Sequence, residues 1–339
     1  MSGVLTSRDA GASLEEELES HRRALTGFCY RMLGSGSEAE DAVQETIVRA
    51  WRAADRLQAR EALKSWLYRI ASNVCFDMLQ GAQRRAVPMD LQPPSDADAA
   101  LGHGLPEHAW VQPIADSRVL APGADPAEVA EARETLRLAF VAALHHLPPR
   151  QRAVLILREV LRWQAAEVAE LLETSVASVN SALQRARATL AALDLDATGP
   201  PSVDAEQEEL LTRYVDAFER YDITSLVSLL QEDATFSMPP FPLWLSDAEE
   251  IGRFMLGQGI HCKGSRVLTT AANGGPAVAI YHPAPDGYEP WAIVVVEMSD
   301  GRIAGLHHFL YPELFAEFGL PLRLDGEHVG QPDELQQSA

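Results

Sequence analysis

From residue 15 to residue 85 apolar side chains recur at three- and four-residue intervals without a proline, a pattern that predicts a bundle of amphipathic helices. The periodicity then lapses. Residues 86–127 contain seven prolines, six acidic residues and one arginine, which predicts an extended, mobile linker. Helical spacing resumes over 128–193 and breaks again at DLDATGPPSVD (194–204). Beyond 205 the pattern changes class. The segment from Glu206 to Leu230 predicts two helices, and ATFSMP (234–239), RVLTTAA (266–272), AVAIYHP (277–283) and WAIVVVEM (291–298) predict strands. Ser299-Asp300-Gly301 supplies a turn before a further strand, RIAGLHHFLYP. Helices followed by an antiparallel sheet imply an α+β cone that encloses a pocket, here assigned to 205–321. The expected fold is therefore multidomain, with two all-α segments and one α+β segment.

Within 176–190, VASVNSALQRARATL, one helical stripe carries Val176, Val179, Leu183, Ala186 and Leu190. Ser178, Ser181, Gln184 and Arg185 point away from it, with Asn180 and Arg187 on the flank. QAAEVAELL (164–172) predicts a short helix just upstream, and Glu173-Thr174-Ser175 the turn, with Thr174 or Ser175 as N-cap. A helix, a tight turn and a helix displaying hydroxyls, amides and guanidinium groups form a helix-turn-helix suited to base edges and phosphates.

Charge complicates that picture. The chain has a formal net charge of −21. Residues 1–200 hold 21 basic against 27 acidic residues, a net of −6, and residues 201–339 hold 7 against 22, a net of −15. The C-terminal portion is therefore a poor ligand for nucleic acid on its own charge. Cys29, Cys75 and Cys262 lack metal-ligand spacing and read as reduced, buried thiols. His307-His308 has no third ligand, so neither a metal nor a cofactor is expected. No run of apolar residues is long enough for a membrane span, and the N-terminus turns acidic where a signal peptide would be apolar. The expectation is a cytoplasmic protein.

Leu147-Pro148-Pro149-Arg150-Gln151-Arg152-Ala153-Val154, followed by EVAELLETSVASVNSALQRAR, resembles region 4 of bacterial sigma-70 family factors. AEDAVQETIVRAW (39–51) resembles sigma region 2.2, and SWLYRIASNVCFDMLQGAQRR (65–85) resembles regions 2.3 and 2.4. Two sigma domains joined by a linker is the arrangement of the extracytoplasmic-function group. This resemblance implies core RNA polymerase and promoter DNA as partners, with sigma region 2 over 15–85, the linker over 86–127 and region 4 over 128–193. It implies polymerase contacts from Asp41, Gln44, Glu45 and Arg49, on a helix whose buried stripe would be Val43, Ile47, Ala50 and Trp51. At the −10 element it implies Asn73 lining a pocket for an unstacked base, Asp77 near it, and Gln83, Arg84 and Arg85 on phosphates. At the −35 element it implies Ser178, Asn180, Ser181, Gln184, Arg185 and Arg187. Basic residues usual in the family are absent at Asn180 and Ala182. The acidity of the whole chain is compatible with this reading, since the polymerase supplies most of the basic channel.

YVDAFERYDITSLVSLLQEDATFSMPP (214–240) resembles the SnoaL-like, nuclear-transport-factor-like superfamily, which includes polyketide cyclases and ketosteroid isomerase. Aligned on that framing, Tyr214 falls where the isomerase keeps its donor tyrosine. Met238 and Val294 fall where its acids belong, and a thioether cannot abstract a proton. The implied module is regulatory, acting in cis, with a pocket lined by Tyr214, Phe218, Phe236, Met238, Trp244, Tyr281, Trp291 and His308 that would take a small apolar ligand. LPEHAWVQPIADS (105–117), with Trp110 isolated among prolines, is a candidate docking point for the linker on that module. Two other readings remain open on the residues alone. One is a SnoaL-like enzyme with appended DNA-binding helices, the other a ligand-responsive helix-turn-helix regulator.

Overall fold

The structure, a computed structural model, describes residues 7–54, 62–123, 125–193 and 205–326, with side chains from residue 14 onward. The expected second break at 194–204 lies outside the described residues. The chain divides into two compact units. The first comprises Met1–Arg84, Arg118–Ala124 and Ala139–Leu195; the second comprises Arg85–Ser117, Asp125–Leu138 and Asp196–Ala339.

The first unit opens with α1 (Ser7–Ser20), α2 (Arg22–Leu33), α3 (Gly36–Arg52) and α4 (Leu63–Leu79). Two caps delimit the second and third helices. Gly34, with φ of 72°, donates its N–H to the Tyr30 carbonyl, and Ser35 Oγ accepts from Glu38 N. Leu25, Phe28, Cys29, Met32, Val43, Leu67, Tyr68 and Cys75 form the buried interior, and Phe28 meets Tyr68 edge to face at 5.3 Å. The three cysteines of the chain are free and buried, as the sequence predicts.

Two short helices follow in chain order, α5 (Asp116–Val119) and α6 (Pro126–Glu134). The first unit then resumes with α7 (Leu138–Leu144), α8 (Pro149–Leu155), a π-helical turn (Ile156–Val160), α9 (Ala165–Leu171) and α10 (Val176–Ala191). Arg152, 3% exposed, ties this set to the N-terminal helices. Its guanidinium donates to the carbonyls of Leu144 (2.9 Å), Leu147 (3.2 Å) and His145 (3.4 Å), and also to that of Met32. Tyr68 meets Trp163 edge to face at 5.2 Å across the same junction.

The second unit holds α11 (Ala205–Glu219), α12 (Ile223–Ser228), β1 (Leu230–Ser237), β2 (Trp244–Ser246) and α13 (Ala248–Leu256). β3 (Arg266–Ala272), β4 (Gly275–Ala284), β5 (Gly287–Ser299), β6 (Arg302–Phe309) and α14 (Leu314–Glu317) complete it. The six strands form one sheet in the order β2-β1-β6-β5-β4-β3. All neighbours are antiparallel except β1 and β6, which run parallel, so the expected all-antiparallel sheet is corrected at that pair. Ala234, Phe236, Met238, Val278, Ile280, Val294, Val296 and Leu306 share the face that packs against Tyr214, Phe218, Ile251 and Phe254. This is the cone.

The linker departs most from expectation. It is folded, and residues 85–117 pack on the sheet domain. Ala86 pairs with Trp110 in a parallel bridge, and Ala115 pairs with Ala272 in an antiparallel one. Asn273 and Gly274 turn the β3–β4 hairpin with φ of 55° and 80°, the left-handed pair that a two-residue hairpin loop needs. That turn is where the linker attaches. Asn273 Oδ1 accepts from Ile114 N at 3.1 Å, Asn273 Nδ2 donates to the Leu136 carbonyl at 2.8 Å, and Gly274 N donates to Asp116 Oδ1 at 2.8 Å. A Cβ on Gly274 would stand 2.7 Å from the Arg133 backbone, so only glycine fits. Helix α6, expected to begin the second helical segment, thus lies with the sheet domain.

Candidate nucleic-acid interface and apolar cone

α10 is built as its hydrophobic pattern requires. Ser175 caps it, its Oγ accepting from Ser178 N at 3.1 Å, and Glu173, with φ of 51°, makes the turn from α9. Val179, Leu183 and Ala186 are buried, while Ser178, Asn180, Ser181, Gln184, Arg185 and Arg187 are all exposed. Val176, placed on the buried stripe by periodicity, is 44% exposed because it occupies the first helical position, ahead of the turn that α9 covers. Two of the guanidinium groups are held in place. Arg185 Nη1 donates to Ser181 Oγ at 2.6 Å, and Arg187 Nη2 donates to Glu159 Oε1 at 2.7 Å. The result is an exposed polar face of hydroxyl, amide and guanidinium groups on an apolar base, side-chain types that can hydrogen-bond base edges and phosphates.

On α3, Ala39, Ala42, Val43, Thr46 and Ala50 are buried, so Asp41, Gln44 and Arg49 stand exposed and Glu45 half-exposed. Trp51, expected in the buried stripe, is 62% exposed, although Ala50 beside it in the same last turn is fully buried. Arg49 bridges two predicted surfaces, donating to Glu45 at 2.7 Å and to Asp77 on α4 at 3.4 Å.

Along α4, Asn73 and Asp77 are exposed, and Gln83 and Arg84 follow on the surface. Arg84 Nη1 lies 3.0 Å from His146 Nδ1. Arg85 breaks the pattern. It is 6% exposed and donates to the carbonyls of Trp110 (2.6 Å) and Glu107 (3.4 Å), so in this structure it holds the linker and presents nothing to a phosphate. Nothing in the spacing of Gln83, Arg84 and Arg85 distinguishes the buried arginine from its neighbour. Only the partner strand, twenty-five residues on in sequence, does.

In the cone, Tyr214, Phe218, Phe236 and Met238 are buried in one cluster, and Trp291 packs against it. His308 lies against Phe236 with ring centroids 4.4 Å apart and planes tilted by 38°, and burial pushes its imidazole down to about 3, so it is neutral. Burial likewise raises the Tyr214 hydroxyl. Tyr214 Oη and His308 Nδ1 are both buried without a hydrogen-bond partner. Trp244 stands at the rim, its indole N–H donating to the Gln92 carbonyl at 2.8 Å. Tyr281 faces the other side of the sheet, edge-on to Phe315 at 4.9 Å, and is not part of the lining. Val278 and Ile280 face the cone, so ordinary strand alternation turns Tyr281 to the opposite side.

His307 also takes the outer face, since neighbouring strand residues alternate. There Ser237 Oγ lies 2.9 Å from its Nδ1, and Glu297 Oε2 lies 3.4 Å from its Nε2. Burial would raise the Glu297 carboxyl, but His307 and then Arg137 hold it below the usual range. No group of three or more metal-ligating side chains occurs among the described residues. No helix is long and apolar enough to cross a membrane among the described residues.

Three family models match in order along the chain: sigma-70 region 2 over residues 18–85, sigma-70 region 4 over 137–190, and a SnoaL-like domain over 211–306. The chain is 43% identical over 307 residues to the ECF RNA polymerase sigma factor SigG of Mycobacterium tuberculosis, an alignment that covers 89% of this chain and 82% of the relative. It is 28% identical over 330 residues to the ECF RNA polymerase sigma factor SigJ of the same species, covering 93% and 96%. Among solved structures, the crystal structure of M. tuberculosis SigJ superposes with a TM-score of 0.59 over 91% of this chain and 99% of that one, at 24% identity. That superposition speaks to the fold.

Proposed function

Because the chain belongs to the extracytoplasmic-function sigma factors of RNA polymerase, we propose that α10 reads the −35 element, α4 and the residues after it read and melt the −10 element, and the C-terminal domain regulates both in cis. Promoter-directed transcription initiation is the function of the whole, with core RNA polymerase and promoter DNA as its partners, and the cytoplasm is where it acts.

The observation that carries the assignment is the division of α10 into a buried face of Val179, Leu183 and Ala186 and a fully exposed face bearing six polar residues. Gln184 and Asn180 supply the amides that pair with adenine edges, and Arg185 and Arg187 supply charge for phosphate or guanine. The exposed face of α3, with Asp41, Gln44, Glu45 and Arg49, serves the polymerase. Asn73 on α4 is the residue placed to hold an extruded base, with Gln83 and Arg84 on the backbone beside it.

The C-terminal domain acts as a binding module and not as an isomerase. The carboxylate base and second acid of that chemistry are replaced by Met238 and Val294, both buried in the cone. Its occupant is a small apolar ligand held among Tyr214, Phe218, Phe236, Met238, Trp291 and His308. Regulation runs through the linker, because residues 85–117, which lie in sequence between the two sigma regions, fold on the C-terminal domain. Co-elution of the full chain with core polymerase, followed by promoter-library selection on that complex, tests the reading. A chain that binds duplex promoters tightly without polymerase would favour a simple helix-turn-helix regulator instead.

A further inference from the structure

Apart from the attachment at Trp110 and the hairpin turn, a second part of the linker lies on the rim of the cone. Ser95 N donates to the Trp244 carbonyl at 2.8 Å while the Trp244 indole donates back to the Gln92 carbonyl, so Trp244 of β2 is held at both its backbone and its side chain. Ala97 N donates to Glu250 Oε2 on α13 at 2.8 Å. Gln258 Nε2 donates to the carbonyls of Ala97 (3.0 Å) and Ala99 (2.8 Å). Leu105 N donates to the Pro240 carbonyl at 2.8 Å. Between these ties Ala97, 1% exposed, belongs to the buried cluster of the cone, and Ala99 and Leu101 pack against that cluster.

The segment places its backbone hydrogen bonds on the rim and buries only Ala97 fully, with Ala99 and Leu101 partly buried, so its hold is specific in register but shallow in depth. Behind it the interior has one unusual property. Tyr214 Oη and His308 Nδ1 are each buried without a hydrogen-bond partner, Tyr214 within the apolar cluster and His308 against its Phe236, and buried polar atoms of this kind are satisfied by a polar atom entering from outside. His308 is neutral, so the interior offers no charge to an anion.

We propose that residues 92–105 form a strap that closes the cone, and that an uncharged apolar molecule bearing one hydrogen-bonding oxygen binds inside only when the strap is displaced. The proposal rests on the reading of the C-terminal domain as a ligand-responsive module in cis. It assigns the moving part. Ligand and strap compete for the same rim and the same apolar contacts, so each lowers the apparent affinity of the other, and the linker is freed in proportion to occupancy.

The test uses the full chain, amide hydrogen exchange and 2-naphthol, an uncharged fluorescent aromatic alcohol. In the unsubstituted protein the amides of Ser95, Ala97 and Leu105 should be protected, and saturating 2-naphthol should abolish that protection while β4 and β5 keep theirs. Gln258→Ala, which removes two rim hydrogen bonds without touching the core, should speed exchange over 92–105 about tenfold and tighten 2-naphthol about fivefold. Ala97→Asp should do the same more strongly. Tyr214→Phe in the Gln258→Ala background should lose the tightening while keeping the fast exchange. Strap amides that exchange freely in the unsubstituted protein, or an opened strap that leaves 2-naphthol binding unchanged or undetectable, would overturn the proposal. Because these readouts do not involve transcription, a strap that behaves as stated in a chain whose transcription ignores the C-terminal domain would sink the regulatory reading alone.

Discussion

Arg85 donates its Nη1 hydrogen to the carbonyl of Trp110 at 2.6 Å, and the two backbones pair beside that contact through Ala86. A residue that by sequence ends the DNA-reading segment is therefore the first residue of the unit that holds the SnoaL-like domain. The boundary between the two compact units falls between Arg84 and Arg85.

Substitution should separate the two arginines. Arg85→Ala leaves the Trp110 carbonyl without its charged donor and should destabilise the C-terminal unit by about 2 kcal/mol in urea denaturation. Arg84→Ala, at an exposed side chain, should leave stability within about 0.5 kcal/mol and weaken promoter binding by the polymerase complex, with a smaller salt dependence.

On α10 the hydrogen-bonding side chains and the charges should part in the same way. Gln184→Ala should cost about 1–3 kcal/mol on the preferred −35 sequence and relax selectivity there. Arg187→Ala should weaken all sequences alike. Footprinting with the polymerase complex across a −35 library distinguishes them, and uniform loss in both variants would assign Gln184 to the backbone.

Arg152 satisfies carbonyls from two helical segments at once, and burial lowers its guanidinium to about 10. Arg152→Met should cost about 3 kcal/mol or more, since several carbonyls lose their donor in a buried site. Urea denaturation followed at Trp163, which lies against Tyr68 in the same unit, measures it.

Asp116 gives a pH dependence. Burial raises its carboxyl from 3.8 to about 6, against the opposing pull of the Gly274 N–H and of Arg133. A raised folded-state value means that its stabilising contribution is complete below about 3.8 and is lost as pH rises through about 6. Asp116→Asn keeps an acceptor for Gly274 without the charge. It should therefore match the unsubstituted protein near the acid end of that window and exceed it at pH 8, by on the order of 2–3 kcal/mol. Thermal melts at the two pH values check this, and an equal gain at both would remove the ionisation from the account.

Local pattern carried much of this molecule. The helical spacing that places Val179, Leu183 and Ala186 on one side of α10 also leaves the six polar residues outside, and the strand RVLTTAA is β3 residue for residue. Failures lie where a distant partner decides. Arg85 is buried by Trp110, and the proline-rich linker, which has no periodicity of its own, is ordered by the Asn273-Gly274 turn and by Trp244, Glu250 and Gln258. β2, which helps hold that rim, is three residues long and too short to carry a period, whereas α13 is nine residues long and lies between the segments that the sequence reading assigns. Tyr281 falls outside the pocket by simple alternation with Val278 and Ile280, so an aromatic residue on a strand of this sheet is not by that fact a lining residue. Ala50 and Trp51 are neighbours on α3, yet one is fully buried and the other 62% exposed, so the edge of an apolar stripe is not fixed by spacing alone.

The most direct measurement is run-off transcription with core RNA polymerase on a promoter library, comparing the full chain with one ending at Thr198. The account predicts promoter-specific transcripts that depend on the added protein, from at least one of the two forms, and a several-fold difference between them. Failure of the chain to bind core polymerase, with no promoter-specific transcript from either form, would contradict it. Equal transcription by the two forms would leave a sigma factor whose C-terminal domain does not regulate it.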